Sequence, residues 1–169
     1  TRWLEMSVFL PFFRTHTYLH DPDQEPWSWG EPTLGINRRW IERRYRLLPY
    51  LYTAFWQCAR TGVPIACPLL LAFQEDPATH DLDDQFMCGD HLLVAPVVED
   101  GARRRTVYLP SGAWYDVWTD EVLSGPARVE VEAPLERIPI FARSGAVVPT
   151  ADPVRYVGEK PRERMVLHV

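Results

Sequence analysis

Long apolar runs are missing from this sequence: no uninterrupted stretch approaches the roughly 20 residues that a membrane-spanning helix needs, and no membrane partner is expected. Positive charge is also short. Eighteen Lys and Arg against 23 Asp and Glu leave a formal net charge of -5, which argues against a nucleic-acid surface, because phosphate binding requires a basic stripe that releases counterions. Basic residues do crowd locally, at Arg103, Arg104 and Arg105 and at Arg38, Arg39, Arg43, Arg44 and Arg46, where they read as solvated faces or as partners for the acidic excess. Cysteine is sparse. Cys58, Cys67 and Cys88 are odd in number and lack C-x-x-C spacing, so reduced thiols in a cytoplasmic protein are expected rather than a disulfide framework. The histidines His16, His20, His80, His91 and His168 lack the paired spacing that sets two imidazoles on one helix face, so no metal site is expected, and no cofactor. Internal repeats and low-complexity tracts are absent. Thr1 follows no methionine or signal-like segment, and the chain stops at Val169 inside a strand-like run, so both ends read as cuts in something longer.

Proline and tryptophan, by contrast, are abundant. Sixteen prolines imply a loop-rich β architecture for much of the chain, because proline is expelled from helix interiors and central strands. Seven tryptophans suit a carbohydrate surface, although for any single one the commoner role is core or interface filling.

Trp3, Met6 and Leu10 are spaced for one helix face until Pro11, and Phe12-Phe13 follow as a short strand candidate. His20 to Pro32 has no periodicity and is predicted to be a loop. After Asn37, a candidate N-cap, Trp40, Ile41, Arg44, Leu47, Leu48, Leu51, Tyr52, Phe55 and Ala59 keep helical spacing up to Gly62, with Pro49 expected to kink the helix. Beyond Gly62 the period changes from 3.6 to 2. Strands are predicted at 65–73, 92–98, 106–109, 113–118, 129–131, 138–142 and 146–148, divided by Asp100-Gly101, Ser111-Gly112 and Ser144-Gly145, which reads as an antiparallel sandwich. A further break is expected at Pro149 to Pro153.

Several of these segments together resemble the family 31 glycoside hydrolases, which include α-glucosidases and α-xylosidases. Arg2-Trp3-Leu4-Glu5 through Pro11-Phe12-Phe13-Arg14-Thr15-His16 is similar to the family's Arg-Trp helix and the last barrel strand with its Arg-x-His ending. Arg44-Tyr45-Arg46-Leu47-Leu48-Pro49-Tyr50-Leu51-Tyr52 looks like the helix that closes the barrel. Asp84 to Asp90 with Leu93-Val94-Ala95-Pro96-Val97 resembles the first half of the β-domain; Val107-Tyr108-Leu109-Pro110, Trp114-Tyr115-Asp116 and Ile138-Pro139-Ile140-Phe141 resemble its later strands, in family order. Tyr156-Val157-Gly158-Glu159-Lys160-Pro161 looks like the entry to a distal β-domain.

The resemblance implies an α+β fragment, mainly β. Residues 1–62 would be the last strand and helices of a (β/α)8 barrel, 63–149 an antiparallel β-sandwich, and 150–169 a linker and the start of a truncated distal domain. It further implies a retaining hydrolase acting on terminal α-linked glucosyl residues of an oligosaccharide, with two catalytic aspartates about 5 Å apart. The segments that carry them in the family do not occur here, so no catalytic residue is expected in this chain. Relatives also act as α-xylosidases, transglycosidases or α-glucan lyases, and a non-catalytic glycan-binding or support module is the rival of another class. Homo-oligomerisation is compatible with all of these.

Two substrate-binding positions carry over. Read alone, His16 is a structural histidine near a loop; the flanking motif instead sets its imidazole at the carboxyl end of the final barrel strand, where barrel active sites assemble. Arg14, two residues away, would point to the same side and could pair with the catalytic carboxylates or hold a neighbouring strand. Thr15 departs from the asparagine of many relatives. Asp21, Asp23, Glu25 and Glu31 read as a solvated loop, Trp27 and Trp29 as cleft-rim platforms or packing against the β-domain, Asp84 as a turn cap, and Asp90 as bonded to the backbone of the next loop. Without the other strands, Phe12, Phe13 and Trp40 are expected to stay unburied, and residues 1–62 alone to associate.

Overall fold

Gly62 stops the longest helix of the molecule. In a computed structural model, which describes residues 1–159 and 164–169, Gly62 adopts φ 77° and its N–H donates to Cys58 O at 2.8 Å, closing α2 (Thr33–Thr61). The positive φ is one that glycine adopts without steric cost. Pro49 lies within α2, and the buried residues Ile36, Trp40, Leu51 and Ala54 follow its helical period. The start differs from the sequence expectation. The helix begins at Thr33, and Asn37 is buried inside it, its Nδ2 donating to Pro26 O at 2.9 Å; the amide ties down the preceding loop instead of capping.

The first helix, α1 (Arg2–Ser7), is also shorter than its apolar spacing suggests. Phe12 and Phe13 form no strand, and residues 13–18 carry no regular structure. A parallel barrel strand exists only through hydrogen bonds to neighbours on either side, and no strand among the described residues of this chain is available to it. Trp40 corrects a second expectation. It is 1 % exposed, edge-on to Phe9 at 6.1 Å and to Trp118 at 5.9 Å, with its indole N–H donated to Glu136 O at 3.1 Å. The chain's own sheet region buries it. Phe13 is half-buried, whereas Phe12 remains 70 % exposed.

After Gly62 the chain builds a mixed structure dominated by an antiparallel sheet of six strands in the order β1-β2-β3-β6-β4-β5. The strands are β1 (Ala66–Pro68), β2 (Phe86–Cys88), β3 (Leu92–Val94), β4 (Arg104–Asp116), β5 (Val122–Glu132) and β6 (Ile140–Arg143). A four-residue helix, α3 (Leu69–Ala72), occupies the second half of the strand predicted over 65–73. Strand β2 was not among the predicted strands; its three residues are too few to show a period of 2. Ser111-Gly112 does not divide two strands. Leu109 faces Ala127 and Gly112 faces Gly125 across the ladder, so a bulge at this point joins the segments predicted at 106–109 and 113–118 into β4.

Alternation along the sheet assigns its two faces. Cys88, Leu92, Val94 and Ile140 pack with Leu4, Val8, Phe9, Ile36, Trp40 and Leu51 of the helical segment. Met87, Leu93, Phe141, Val107, Leu109 and Trp114 form a second cluster on the other side. The helices and the sheet therefore share one core. Arg2 adds a polar tie, donating to the carbonyls of Ala102, Ala133 and Arg137 at 3.2, 2.5 and 2.5 Å. A separate ribbon, β7 (Val148–Ala151) paired with β8 (Met165–His168), lies against α2 through β7. Of the segment resembling a distal-domain entry, Lys160 and Pro161 lie outside the described residues.

Candidate substrate cleft

Loops that pack no core leave side chains free for ligands. The extended segment after α1 and the turns of residues 21–32 face each other across a cleft of about 350 Å³. Thr1, Trp3, Leu4 and Ser7 of the first helix line it, as do Phe13, Arg14, Thr15 and His16, then Gln24, Glu25, Pro26 and Trp29, and Asn37 of α2. The structure thus brings His16 and Arg14 to one concavity. Both are exposed.

His16 makes no hydrogen bond to a described residue, so both ring nitrogens are open to a ligand, one as donor and one as acceptor when neutral. Arg14 has no carboxylate within ion-pair distance among the described residues; its guanidinium lies 5.4 Å from the centroid of the Phe12 ring. A bridge from Arg14 to another strand is therefore not formed among the described residues.

The loop opposite is held by its own short hydrogen bonds. Glu25 accepts from Ser28 Oγ at 2.7 Å, and Ser28 N–H donates to Glu25 O; the hydroxyl bond, and behind it a backbone N–H, keep the Glu25 carboxyl below its ordinary pKa. Asp21 accepts from the Thr17 hydroxyl and the Tyr18 N–H, and Glu31 from the Gly35 N–H. Trp29 lines the cleft and is 60 % exposed; Trp27, at 65 %, lies outside it. Glu25 as a hydroxyl acceptor at the cleft was not anticipated, because one acid in an aperiodic acidic loop carries no distinguishing signal.

The aspartates of the β-domain lie elsewhere and do other work than expected. Asp84 pairs with Arg105 at 2.7 Å, and the same guanidinium donates to the carbonyls of Asp84 and Pro96. Asp90 accepts from Gln57 Nε2 at 3.1 Å. Both act between elements of the fold.

Chemically, the cleft wall offers an imidazole, a guanidinium, an ionised carboxylate and the two indoles of Trp3 and Trp29. That set can hydrogen-bond hydroxyls and stack on the apolar face of a sugar ring. Glu25 is the one carboxylate among the lining residues. Two-carboxylate glycoside chemistry therefore has no home in this wall alone.

Known proteins share this arrangement of segments. The Bacillus thermoamyloliquefaciens protein named alpha-glucosidase 2 is 38% identical over 169 residues, all of this chain and 21% of its own length. A GH31 dextranase from Flavobacterium johnsoniae, solved with glucose, is 41% identical with a TM-score of 0.90, over 94% of this chain and 20% of that one. A GH31 alpha-xylosidase from Xanthomonas citri is 34% identical with a TM-score of 0.87, over 94% and 17%. The chain thus spans about a fifth of the length of such relatives. Residues 1–54 match the profile of the glycosyl hydrolases family 31 TIM-barrel domain. Residues 62–148, half of the chain, match the glycosyl hydrolase family 31 C-terminal domain, and with both matches in family order the chain belongs to glycosyl hydrolase family 31.

Proposed function

We propose that this chain is the part of a retaining α-glucosidase that completes the sugar-binding cleft and braces it from behind, within a protein that hydrolyses terminal α-linked glucosyl residues of oligosaccharides. In this reading residues 1–62 are the last strand and helices of a (β/α)8 barrel and the sheet region is a β-sandwich. The catalytic aspartates stand on barrel strands outside this chain. The observation that supports it most is the convergence of His16 and Arg14 on one cleft together with Trp29. His16 and Arg14 would bind sugar hydroxyls there, and the shared core would hold that wall against the sheet. We further propose a cytoplasmic protein that takes an oligosaccharide as its partner, has no nucleic-acid or membrane partner and is compatible with self-association.

An α-xylosidase is the second reading, favoured by the similarity to the Xanthomonas citri enzyme. One experiment separates them. The protein that carries this chain is assayed on p-nitrophenyl α-glucoside and α-xyloside, with the first-formed anomer followed by proton NMR. Faster turnover of the glucoside with initial α-glucose supports the proposal. Preference for the xyloside selects the second reading, and an initial β-anomer or an anhydro sugar removes retaining hydrolysis.

A further inference from the structure

The last four carbonyls of a helix have no partner inside it and must be satisfied from elsewhere. At the exit of α1 the N–H groups of Val8, Phe9 and Leu10 serve the carbonyls of Leu4, Met6 and Ser7, and the next four carbonyls, at residues 8–11, find their partners on two distant elements. Arg44, on α2, donates Nη1 to Val8 O at 2.6 Å and to Leu10 O at 2.7 Å, and Nη2 to Pro11 O at 3.2 Å. Cys88, on β2, donates its thiol to Phe9 O at 3.3 Å. Four consecutive carbonyls are thereby held by two side chains. The same guanidinium lies 5.6 Å from the centroid of the Phe13 ring, so a single cation grips the backbone at 8, 10 and 11 and the side chain at 13.

Residues 13–18 have no sheet partner among the described residues, so the course of Arg14 and His16 is set by what grips the chain on either side: Asp21, which accepts from Thr17 and Tyr18 after them, and the clamp on residues 8–13 before them. Arg44 has no carboxylate within ion-pair distance among the described residues, and its charge is met by carbonyl dipoles and an aromatic face. Burial lowers its pKa, yet a guanidinium remains protonated throughout the working range. Burial likewise pushes the Cys88 thiol up to about 12, keeping it a neutral donor. The planar fork is what lets one side chain reach three carbonyls and stack on a ring together; an ammonium cannot do both.

We infer that Arg44 is a positioning residue of the sugar cleft, clamping residues 8–13 so that His16 and Arg14 stand where a hexose meets them. The inference rests on the reading of His16 as a substrate-binding residue. Cys88 is the second, weaker jaw of the same clamp.

A double-mutant cycle in the protein that carries this chain tests it, with kcat and KM on p-nitrophenyl α-glucoside read beside the unfolding midpoint. Arg44→Lys is expected to lower kcat/KM about 10- to 100-fold, the scale of an ångström-sized misplacement. In a His16→Ala background the same change is expected to cost less than about threefold, because the group it aims has gone. Equal loss in both backgrounds, or a loss within twofold in the parent, overturns the inference and leaves Arg44 a structural residue. If His16→Ala itself leaves kcat/KM unaltered, the reading of the site has failed and the inference falls with it, a result distinct from an Arg44 that simply does not couple. Should Arg44→Lys not accumulate as folded protein, Cys88→Ala carries the same test. Its expected loss is about two- to fivefold, for one hydrogen bond, vanishing on His16→Ala; a loss that persists there counts against the clamp.

Discussion

Glu5 has a carboxylate sealed from solvent, and the one cation in ion-pair contact with it among the described residues is Arg2, at 3.3 Å. The pair is poorly balanced. Arg2 spends its other bonds on three carbonyls, while Glu5 Oε1 has no hydrogen-bond partner. Desolvation dominates, and although the Arg2 charge pulls the other way, the Glu5 carboxyl is raised from 4.5 to about 7.

Stability should therefore fall as pH rises through that window. Below pH 4.5 the carboxyl is protonated in both states; between 4.5 and 7 the folded protein holds a proton that the unfolded chain gives up; above 7 the buried charge has its full cost, about 3 kcal/mol at 1.36 per pH unit. Glu5→Gln, which keeps the shape and removes the charge, is expected to stabilise the protein at pH 8 and to be near neutral at pH 5. Urea unfolding at the two values measures it. A variant less stable than the parent at pH 8 would show that the attraction to Arg2 outweighs the cost of burial.

The hydroxyl-binding role proposed for the cleft predicts a separable pair of effects. His16→Ala is expected to lower kcat/KM by about 5- to 150-fold, the range for losing a polar contact to a sugar in the transition state. Arg14→Gln should cost less, because its guanidinium has the Phe12 ring as a resting place without a ligand. The unfolding midpoint of either variant should stay within a few degrees of the parent, since neither side chain is buried or bonded within the described residues. A midpoint drop comparable to that of a core truncation would instead mark His16 as structural.

Much of this was legible in the residues. The end of α2 at Gly62 and the later strands followed from period and turn chemistry, because each depends on residues within a few positions. What failed depended on distant partners. Phe12-Phe13 have the composition of a strand but, among the described residues, no neighbour to pair with. Asn37 has the chemistry of an N-cap, yet the carbonyl of Pro26 claims its amide. Ser111-Gly112 reads as a turn until β5 is laid beside it. Trp40 was expected to need other strands for burial, and Trp118 and Phe9 enclose it instead. At the cleft, the motif singled out His16 and Arg14, which the structure brings to one concavity; nothing in the sequence showed that Arg44 and Cys88 meet at the exit of α1.

Close approach at the β4 bulge yields a stability prediction. A Cβ on Gly125 would sit 1.9 Å from Pro110 O and 2.6 Å from Leu109 O, both backbone atoms that cannot swing aside. Gly125→Ala is expected to cost more than about 3 kcal/mol or to abolish folding, as overpacking against a rigid backbone does. Gly62→Ala provides the control. Its Cβ would meet nothing within 4 Å, so the cost is that of a positive φ alone, about 1 kcal/mol. Equal midpoints for the two variants would mean that β4 and β5 do not approach as described.

The tryptophans of the 21–32 loop provide a test of what an indole does at this cleft. Trp29 lines the concavity with His16 and Glu25, whereas Trp27 is as exposed but faces elsewhere. A sugar stacked on an indole loses about 1 kcal/mol of contact when the ring is removed, so Trp29→Ala is expected to raise KM for an oligosaccharide about five- to tenfold while kcat changes little. Trp27→Ala should leave both near the parent values. Equal responses of the two variants would show that Trp29 supports the loop, and an effect on kcat alone would place it beside the reacting bond; either result would remove it as a stacking platform.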